Sequence, residues 1–496
     1  MVTRGRNFIN GRWCEGAVGW LDIENPATAE NFAVQALADG NDVETAVAAA
    51  LRCHEAGHLT RLRPVERGRM VRAMGDYLSA NAEPATRLLS RETGKPYWEA
   101  VIEVQGAIRL FEYYANQTDA LEGMSIPLGA DYVDFTTLEP FGVSAQIVPW
   151  NFPLEIAARS IAPALATGNC CVVKSPEMAP LTIGLLGHAA EAAGLPPGSL
   201  NIICGAGAVA GAALCNHPDV RQIVFTGSLE TGVSIASAAA RNIVPCVLEL
   251  GGKSAAIIFP DADLDQVVDS VRWGTFYNAG QICSALSRAI VHEDVHDQLV
   301  ERLAALAASI SVGGDQDGSE PTLTMGSMIS KKQRDRAAAM GCDAERTGAR
   351  RVCGATDFAR AGWFLEPTIY SNVDLGMRIC QDEIFGPVLT VSKFGHRDDP
   401  AAMANGTDYG LVAGVFTRDI DRAFGMARRL RAGQVFINEW FAGGVETPFG
   451  GVGKSGYGRE KGREGLRNYV QTKNIAVRLT GLAANTALTK DRATGA

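Results

Sequence analysis

The chain has 496 residues, too many for one ordinary hydrophobic core, so two or more domains are expected, each able to fold without covalent staples. Its 46 basic and 55 acidic side chains give a formal net charge of -9, which argues against nucleic acid or an anionic membrane surface as the main partner. No apolar run approaches the roughly 18 residues of a membrane span, the cysteines are scattered without a CxxC pair, and no apolar stretch follows Met1, so a soluble enzyme of the reducing cytoplasm is expected.

The first element is a hairpin. In Phe8-Ile9-Asn10-Gly11-Arg12-Trp13 the Asn-Gly pair suits the positive φ angles of a two-residue turn. Helices are then expected to dominate to about residue 122. Over 42–57, Val43, Ala46, Val47, Ala50 and Leu51 recur at helical spacing, and Pro64 is placed to open a second helix ending near Ser79. From 131 to 148 the pattern turns extended, with β-branched and aromatic residues on either side of Glu139-Pro140. Short apolar strands at 170–173, 200–203, 223–225 and 244–250 then alternate with helices near 180–193, 207–215 and 230–241. That rhythm is one of crossover units in a parallel sheet covered on both faces. A second series follows, with strands at 255–259, 289–291, 411–416 and 435–437 and helices near 263–277, 295–309 and 419–430. Two α/β domains are inferred. An extended segment at 469–479 precedes the tail 480–496, which lacks any period and is expected to be disordered.

A sulfur nucleophile and a carboxylate base stand out. Cys283 follows the turn-like Asn278-Ala279-Gly280-Gln281 and is read at a loop-to-helix junction, where the helix dipole and backbone N–H groups favour a thiolate. A free cysteine taken alone is more often inert core, and only the company of the other motifs raises it. Glu249 lies thirty-four positions upstream in Leu248-Glu249-Leu250-Gly251-Gly252, where apolar neighbours should raise its pKa as a base for water requires. A lone strand-end Glu is more commonly solvated. A thiolate that attacks carbon and a carboxylate that later activates water together oxidise a carbonyl to an acid through a thioester, provided an electron acceptor is at hand. Asn151, held between Pro149 and Pro153, is either a rigid oxyanion donor or a simple turn residue.

Phe225-Thr226-Gly227-Ser228 runs from a strand into a helix, so its backbone N–H groups and the Ser228 hydroxyl are placed for a pyrophosphate. By pattern alone, however, the formal dinucleotide fingerprint is one unit earlier, in Gly205-Ala206-Gly207-Ala208-Val209-Ala210. Lys174 and Glu177 follow the 170–173 strand and read equally as a grip on ribose hydroxyls or a solvated pair. Two motif matches are declined. His292-Glu293-Asp294-Val295-His296 has zinc-protease spacing but reads as a strand-to-helix turn whose histidines share no helical face, and no metal is expected. Pro448-Phe449-Gly450-Gly451-Val452-Gly453-Lys454-Ser455 lacks the first glycine and the leading strand of a P-loop.

Taken in order, Pro149-Trp150-Asn151-Phe152-Pro153, Lys174-Ser175-Pro176-Glu177, Phe225-Thr226-Gly227-Ser228, Glu249-Leu250-Gly251-Gly252-Lys253, Gly280-Gln281-Ile282-Cys283, Glu383-Ile384-Phe385-Gly386-Pro387 and Pro448-Phe449-Gly450-Gly451 give a chain that resembles the NAD(P)-dependent aldehyde dehydrogenase superfamily from about residue 7 to 479. The resemblance implies a Rossmann-like cofactor domain of 1–118 and 141–249, an α/β catalytic domain of 250–447, and a β oligomerisation flap of 119–140 and 467–479 that makes a homodimer or homotetramer. It implies that Cys283 attacks an aldehyde, that Asn151 and the Cys283 N–H hold the oxyanion, and that Glu249 activates the hydrolytic water. Gly227, Ser228 and Gly232 would line the pyrophosphate site, Lys174 and Glu177 the adenosine ribose, and Glu383 and Phe385 the nicotinamide ribose and ring. Ile147, Trp150 and Leu250 would flank the cofactor, while Gly207 and Gly211 would face adenine, which moves the phosphate away from the formal fingerprint. The acid at 177 favours NAD⁺, with NADP⁺ tolerated, because a carboxylate there repels a 2′-phosphate.

For the substrate, the resemblance sets Phe152, Arg159, Ile282 and Ser284 on the pocket wall. An Arg at 159 occurs in relatives that bind a distal carboxylate and in relatives that take aromatic aldehydes; as a plain helix residue it would pair with Glu155 at i-4. Tyr277, where a second Arg would favour a carboxylate, tips the reading to an aromatic or apolar aldehyde. The rivals are a semialdehyde dehydrogenase, a coenzyme-A-acylating relative and a non-catalytic binding relative. Glu249 argues for hydrolysis, and the presence of Cys283, Glu249 and Asn151 together argues for catalysis.

Overall fold

The amino-terminal turn forms as its sequence dictates: Asn10 and Gly11 take φ of 53° and 72° and join the antiparallel strands Asn7–Ile9 and Arg12–Cys14. These come from a computed structural model that describes residues 3–314, 316, 324–354 and 361–479. The tail expected to be disordered, 480–496, lies outside the described residues. Helices do not dominate immediately. Gly19–Asn25 and Glu30–Leu37 pair as antiparallel strands, with Thr3–Gly5 added alongside, and only then do Gly40–Glu55, Pro64–Ala80, Ala82–Thr93 and Tyr97–Ala115 follow. Asp39 starts the first of these helices with a reciprocal capping box, and Pro64 opens the second at a position where its missing N–H costs nothing.

The first large sheet has eight strands, in the spatial order Gly456–Tyr457, Cys246–Glu249, Gln222–Thr226, Val143–Ile147, Cys170–Ser175, Leu200–Cys204, Asn7–Ile9, Arg12–Cys14. The strands from Cys246–Glu249 to Leu200–Cys204 are mutually parallel. From Val143–Ile147 the chain builds outward to Leu200–Cys204, then returns to the other side with Gln222–Thr226 and Cys246–Glu249. The order reverses between Ile147 and Thr226, and the crevice beyond the carboxyl ends of strands at such a switch point is where open α/β sheets bind ligands.

The second large sheet has seven strands, in the order Arg350–Cys353, Thr368–Ser371, Val388–Phe394, Leu286–His292, Ser254–Ile258, Val412–Phe416, Gln434–Ile437. Ala256, Ile258, Ala289 and Val291 pack into one core and Ala255, Ile257 and Ile290 into another on the opposite face, so this sheet is covered on both sides. Three of its strands and the helix Lys331–Arg346 were absent from the sequence reading. That helix is largely polar and buries only Ala337, Met340, Gly341 and Ala344. A third sheet pairs Val470–Arg478 antiparallel with Tyr132–Pro140, Val470 opposite Pro140 and Arg478 opposite Tyr132, with Ser125–Ile126 on the other edge. Among the described residues no helix is long and apolar enough to cross a membrane.

The helix expected over 263–277 breaks early. Leu264–Val271 is α-helical, Arg272–Phe276 winds as a π-turn, and Tyr277–Gly280 is a tight turn in which Asn278 and Ala279 both sit at φ 50°. Cys283 follows this turn and is succeeded by the strand Leu286–His292, not by a helix. The expected loop-to-helix junction is therefore wrong: no helix starts in the chain directly after Cys283.

Candidate active site

A cleft of about 750 Å³ opens at the switch point of the first sheet. Ile147, Trp150, Lys174, Glu177, Gly207, Gly211, Gly227 and Ser228 all line it. Lys174 Nζ lies 2.7 Å from Glu177 Oε2, and Glu177 Oε1 accepts the N–H of Gly207 at 2.9 Å. Burial pushes the Glu177 carboxyl up, but Lys174 and that N–H outweigh it and hold it below the usual range, so it is anionic. In the formal fingerprint, the first N–H of the 207–211 turn already faces a carboxylate. Ser228 instead caps the helix Leu229–Asn242, its hydroxyl accepting from the N–H of Thr231, and the helix start faces the cleft. Gly227 N–H donates to Glu249 O at 3.0 Å, which ties this turn to the strand that carries the expected base. Gly232 and Leu250 do not line the cleft; a side chain at 232 would collide with Leu250, so the pair packs the helix onto the sheet beneath it.

A cavity of about 120 Å³ continues inward from the cleft, and Trp150, Asn151, Glu249, Cys283, Arg336, Glu383 and Phe385 share its wall. The Trp150 and Phe385 rings meet edge to face at 5.4 Å. Glu383 Oε1 accepts the N–H of Gly252 at 3.1 Å, and burial lifts its carboxyl to about 7. Close approach is enforced by glycine at two points. A Cβ on Gly252 would lie 2.6 Å from the Cys283 carbonyl, and one on Gly450 would lie 2.7 Å from Glu249 Oε1.

Glu249 is 1% exposed, and neither carboxylate oxygen has a hydrogen-bond partner. Burial, reinforced by the charge of Glu460, raises its pKa well above the ordinary value; Arg159, Arg459 and Lys461 offset only part. The direction agrees with the sequence expectation. Cys283 does not follow its expectation. Its thiol is pushed up to about 12 by burial, with Glu249 and Glu383 adding to the effect and Arg159 opposing it. Asn151 is held by a small network: its Nδ2 donates to Gln281 O at 3.0 Å, while Asn278 Nδ2 donates to the carbonyls of Asn151 and Gln281. Glu99 Oε1 accepts the N–H of Asn278 at 3.0 Å, so a buried acid anchors the strained turn two elements away.

Beyond Cys283 a tunnel of about 320 Å³ is walled by Phe152, Tyr277, Ile282, Phe436, Phe441 and Phe449, with Arg159 and Ser284 also on its surface. Arg159 Nη2 stands 2.6 Å from Glu460 Oε2, both side chains buried at 7% and 2% exposure, and its guanidinium lies 5.5 Å from the Phe449 ring. The expected pairing with Glu155 is replaced by Glu460; Glu155 faces Lys461 at 4.0 Å. Arg159→Leu is expected to destabilise the fold by about 3–5 kcal/mol, because it leaves Glu460 buried and unpaired. Urea denaturation checks this, and the double variant Arg159→Leu/Glu460→Leu should recover much of the loss.

Several wall residues were invisible in the sequence reading. Gln333 and Arg336 come from the polar helix Lys331–Arg346, and Lys461, with Glu460 behind Arg159, sits in the charged run Arg459-Glu460-Lys461, which reads as a solvated face. In the declined P-loop segment, Lys454 Nζ is paired with Asp408 at 2.6 Å.

The cleft, with the anionic Glu177 on its wall, open space above Gly207 and Gly211, and a capped helix start, fits a dinucleotide. Residues 13–475 match the model of the aldehyde dehydrogenase family. The chain is 41% identical to human retinal dehydrogenase 2 over 476 residues, covering 95% of this chain and 91% of that one. It is 39% identical to a mitochondrial benzaldehyde dehydrogenase of Antirrhinum majus over 481 residues, covering 96% and 90%. The NAD⁺ complex of an aldehyde dehydrogenase from Bacillus cereus superposes with a TM-score of 0.93 at 36% identity, covering 96% of this chain and 97% of that one. A cysteine, a buried acid and an amide on one cavity between a dinucleotide cleft and a tunnel agree with that kinship, and the chain belongs to the aldehyde dehydrogenase family as an NAD(P)-dependent aldehyde oxidoreductase.

Proposed function

We propose that the protein oxidises an aromatic or otherwise apolar aldehyde to its carboxylic acid with NAD⁺, using Cys283 as nucleophile, Asn151 as oxyanion donor and Glu249 as the base for hydrolysis. The observation that carries the substrate reading is the tunnel. Six aromatic side chains stand on its wall, and both cations there that would hold a distal carboxylate, Arg159 and Lys461, already face carboxylates, Glu460 at 2.6 Å and Glu155 at 4.0 Å. Relatives named for retinal and benzaldehyde support an apolar substrate.

In the proposed sequence the sulfur adds to the carbonyl carbon and the Asn151 amide stabilises the oxyanion, a contribution of about 10²–10³ in rate for one such donor. Bound NAD⁺ supplies the hydride acceptor. Ile147, Trp150, Lys174, Glu177, Gly227, Ser228, Glu383 and Phe385 hold it. Glu249 then takes a proton from water as that water attacks the thioester, and Cys283 leaves as the acid is released. Because the resting thiol is protonated, its proton passes to solvent water as the sulfur attacks, and Glu249 is kept for the hydrolytic water.

A panel of benzaldehydes, long alkyl aldehydes and carboxylate-bearing semialdehydes, assayed with NAD⁺ with and without coenzyme A, tests this. The expected result is a kcat/KM at least about tenfold higher for the apolar aldehydes and no effect of coenzyme A. A preference for semialdehydes, or turnover that needs coenzyme A, would overturn it. Glu177→Gln keeps an acceptor for Gly207 N–H but removes the charge, so the NADP⁺/NAD⁺ ratio of kcat/KM is expected to rise by about tenfold.

The exposed strand Val470–Arg478 is paired on one side only within the chain, which supports a homodimer or homotetramer formed through the flap of 119–140 and 467–479. The same reading keeps 1–118 and 141–249 as the cofactor domain and 250–447 as the catalytic domain.

A further inference from the structure

We propose that His292, Asp294 and His396 form a binding site for a divalent transition-metal cation of the Zn²⁺ type, separate from the active site. The strands Leu286–His292 and Val388–Phe394 are parallel neighbours, and His292 stands opposite Phe394 at their shared carboxyl ends. There the chain turns twice. His292 leads into the helix Glu293–Ser309, and two residues past Phe394 the loop carries His396 back over the same spot. The two imidazoles meet edge to face with centroids 4.9 Å apart, and His292 is packed in the same manner against Phe394 at 5.1 Å.

Asp294 completes the set. Its Oδ2 lies 3.4 Å from His292 Nδ1, and one donor atom from each of the three residues falls within 4.8 Å of the others. With metal–ligand bonds near 2.0–2.1 Å, the edge of a tetrahedral site is roughly 3.3 Å, so the His292–Asp294 edge already has the required length. The third ligand has only to close in. His396 and Asp294 are exposed and free to adjust, whereas His292 is 4% exposed and fixed by its packing.

His292 Nδ1 faces the Asp294 N–H at 3.3 Å; with the ring proton on Nε2 it offers the lone pair a metal requires, in exchange for that bond. The bond is long, and the N–H belongs to an exposed first turn of helix, where water can replace the acceptor. Two imidazoles and one carboxylate with water in the fourth position suit zinc, cobalt or nickel and not magnesium or calcium. His296, which gave the zinc-protease spacing in the sequence, is not part of the set: its Nδ1 faces Asp297 at 2.7 Å. The site lies at the far end of the strand that follows Cys283, roughly 20 Å along seven residues at about 3.3 Å each. Its consequence is structural: an ion there would clip two neighbouring strand ends of the second sheet.

Calorimetric titration of chelator-treated full-length protein with Zn²⁺ tests the site, with Cys283→Ser and His396→Ala in parallel. One ion per chain is expected in the wild type and in Cys283→Ser, and affinity should fall at least about tenfold in His396→Ala. Co²⁺ should give visible d–d bands without sulfur-to-metal charge transfer. His396 is exposed, so NADH turnover is expected to persist in His396→Ala and to report an intact fold. Absence of Zn²⁺ binding in the wild type, unchanged affinity in His396→Ala, or a thiolate signature in the Co²⁺ spectrum would each overturn the proposal.

Discussion

Glu249→Gln is expected to release one rapid equivalent of NADH per active chain and then turn over about 10²–10⁴-fold more slowly than the wild type. Glu249 lies on the cavity wall beside Cys283, is buried, and has both carboxylate oxygens free of hydrogen bonds. A group so placed is available to take a proton from water; glutamine keeps its shape and removes that capacity. Acylation and hydride loss precede hydrolysis, so the first equivalent survives while the thioester accumulates. The pH dependence follows with the same sign. Burial and Glu460 raise the Glu249 pKa, so its protonated form persists to higher pH than for an ordinary glutamate. Wild-type kcat should therefore rise with pH along a limb that lies above the usual carboxylate range, and that limb should vanish in Glu249→Gln. Stopped-flow and steady-state NADH absorbance measure both features. An unchanged steady-state rate would sink the assignment.

What was legible in the sequence was whatever is decided locally. Strands buried on both faces, such as Cys170–Ser175 and Gln222–Thr226, were legible from their short apolar cores, 170–173 and 223–225, because the positions along them are buried on both sides. The Asn-Gly hairpin and the Pro64 helix start were equally plain, since turn and cap chemistry act over a few residues. Glu30–Leu37 was not. Glu30-Asn31-Phe32-Ala33-Val34-Gln35-Ala36-Leu37 carries helix-favouring residues and becomes a strand only because two neighbours pair with it.

The site divides along the same line. Asn151, Glu249 and Cys283 stood out as motifs, but the environment of each is built from distant chain. Gly207, in the formal fingerprint, meets a carboxylate thirty residues upstream, at Glu177. Arg159 found its partner in Glu460, three hundred and one residues later. The thiolate expected at Cys283 depended on a helix that does not follow it in the chain, and a half-buried thiol with a raised pKa could not be read from Gly280-Gln281-Ile282-Cys283 alone.

Cys283→Ala is expected to lower NADH formation by about 10⁴-fold or more, with NAD⁺ affinity retained. The prediction separates chemistry from folding, because Cys283 borders the inner cavity and the tunnel while the large cofactor cleft is walled by other residues. Removing the sulfur eliminates the covalent route but leaves the Lys174–Glu177 grip and the Ser228 helix start in place, and quenching of tryptophan fluorescence by NAD⁺ reports on these. The resting state of the thiol adds a second readout. With its pKa pushed up to about 12 by burial, against the pull of Arg159, the thiolate fraction in the apo enzyme grows across the whole accessible pH range. Alkylation at Cys283, resolved from the other cysteines by mass spectrometry, should therefore accelerate by about tenfold per pH unit between neutrality and the alkaline end. A rate that levels off near neutral pH would mean a thiolate already formed at rest. Sulfur attack would then need no proton acceptor, and Glu249 acts on the hydrolytic water in either case.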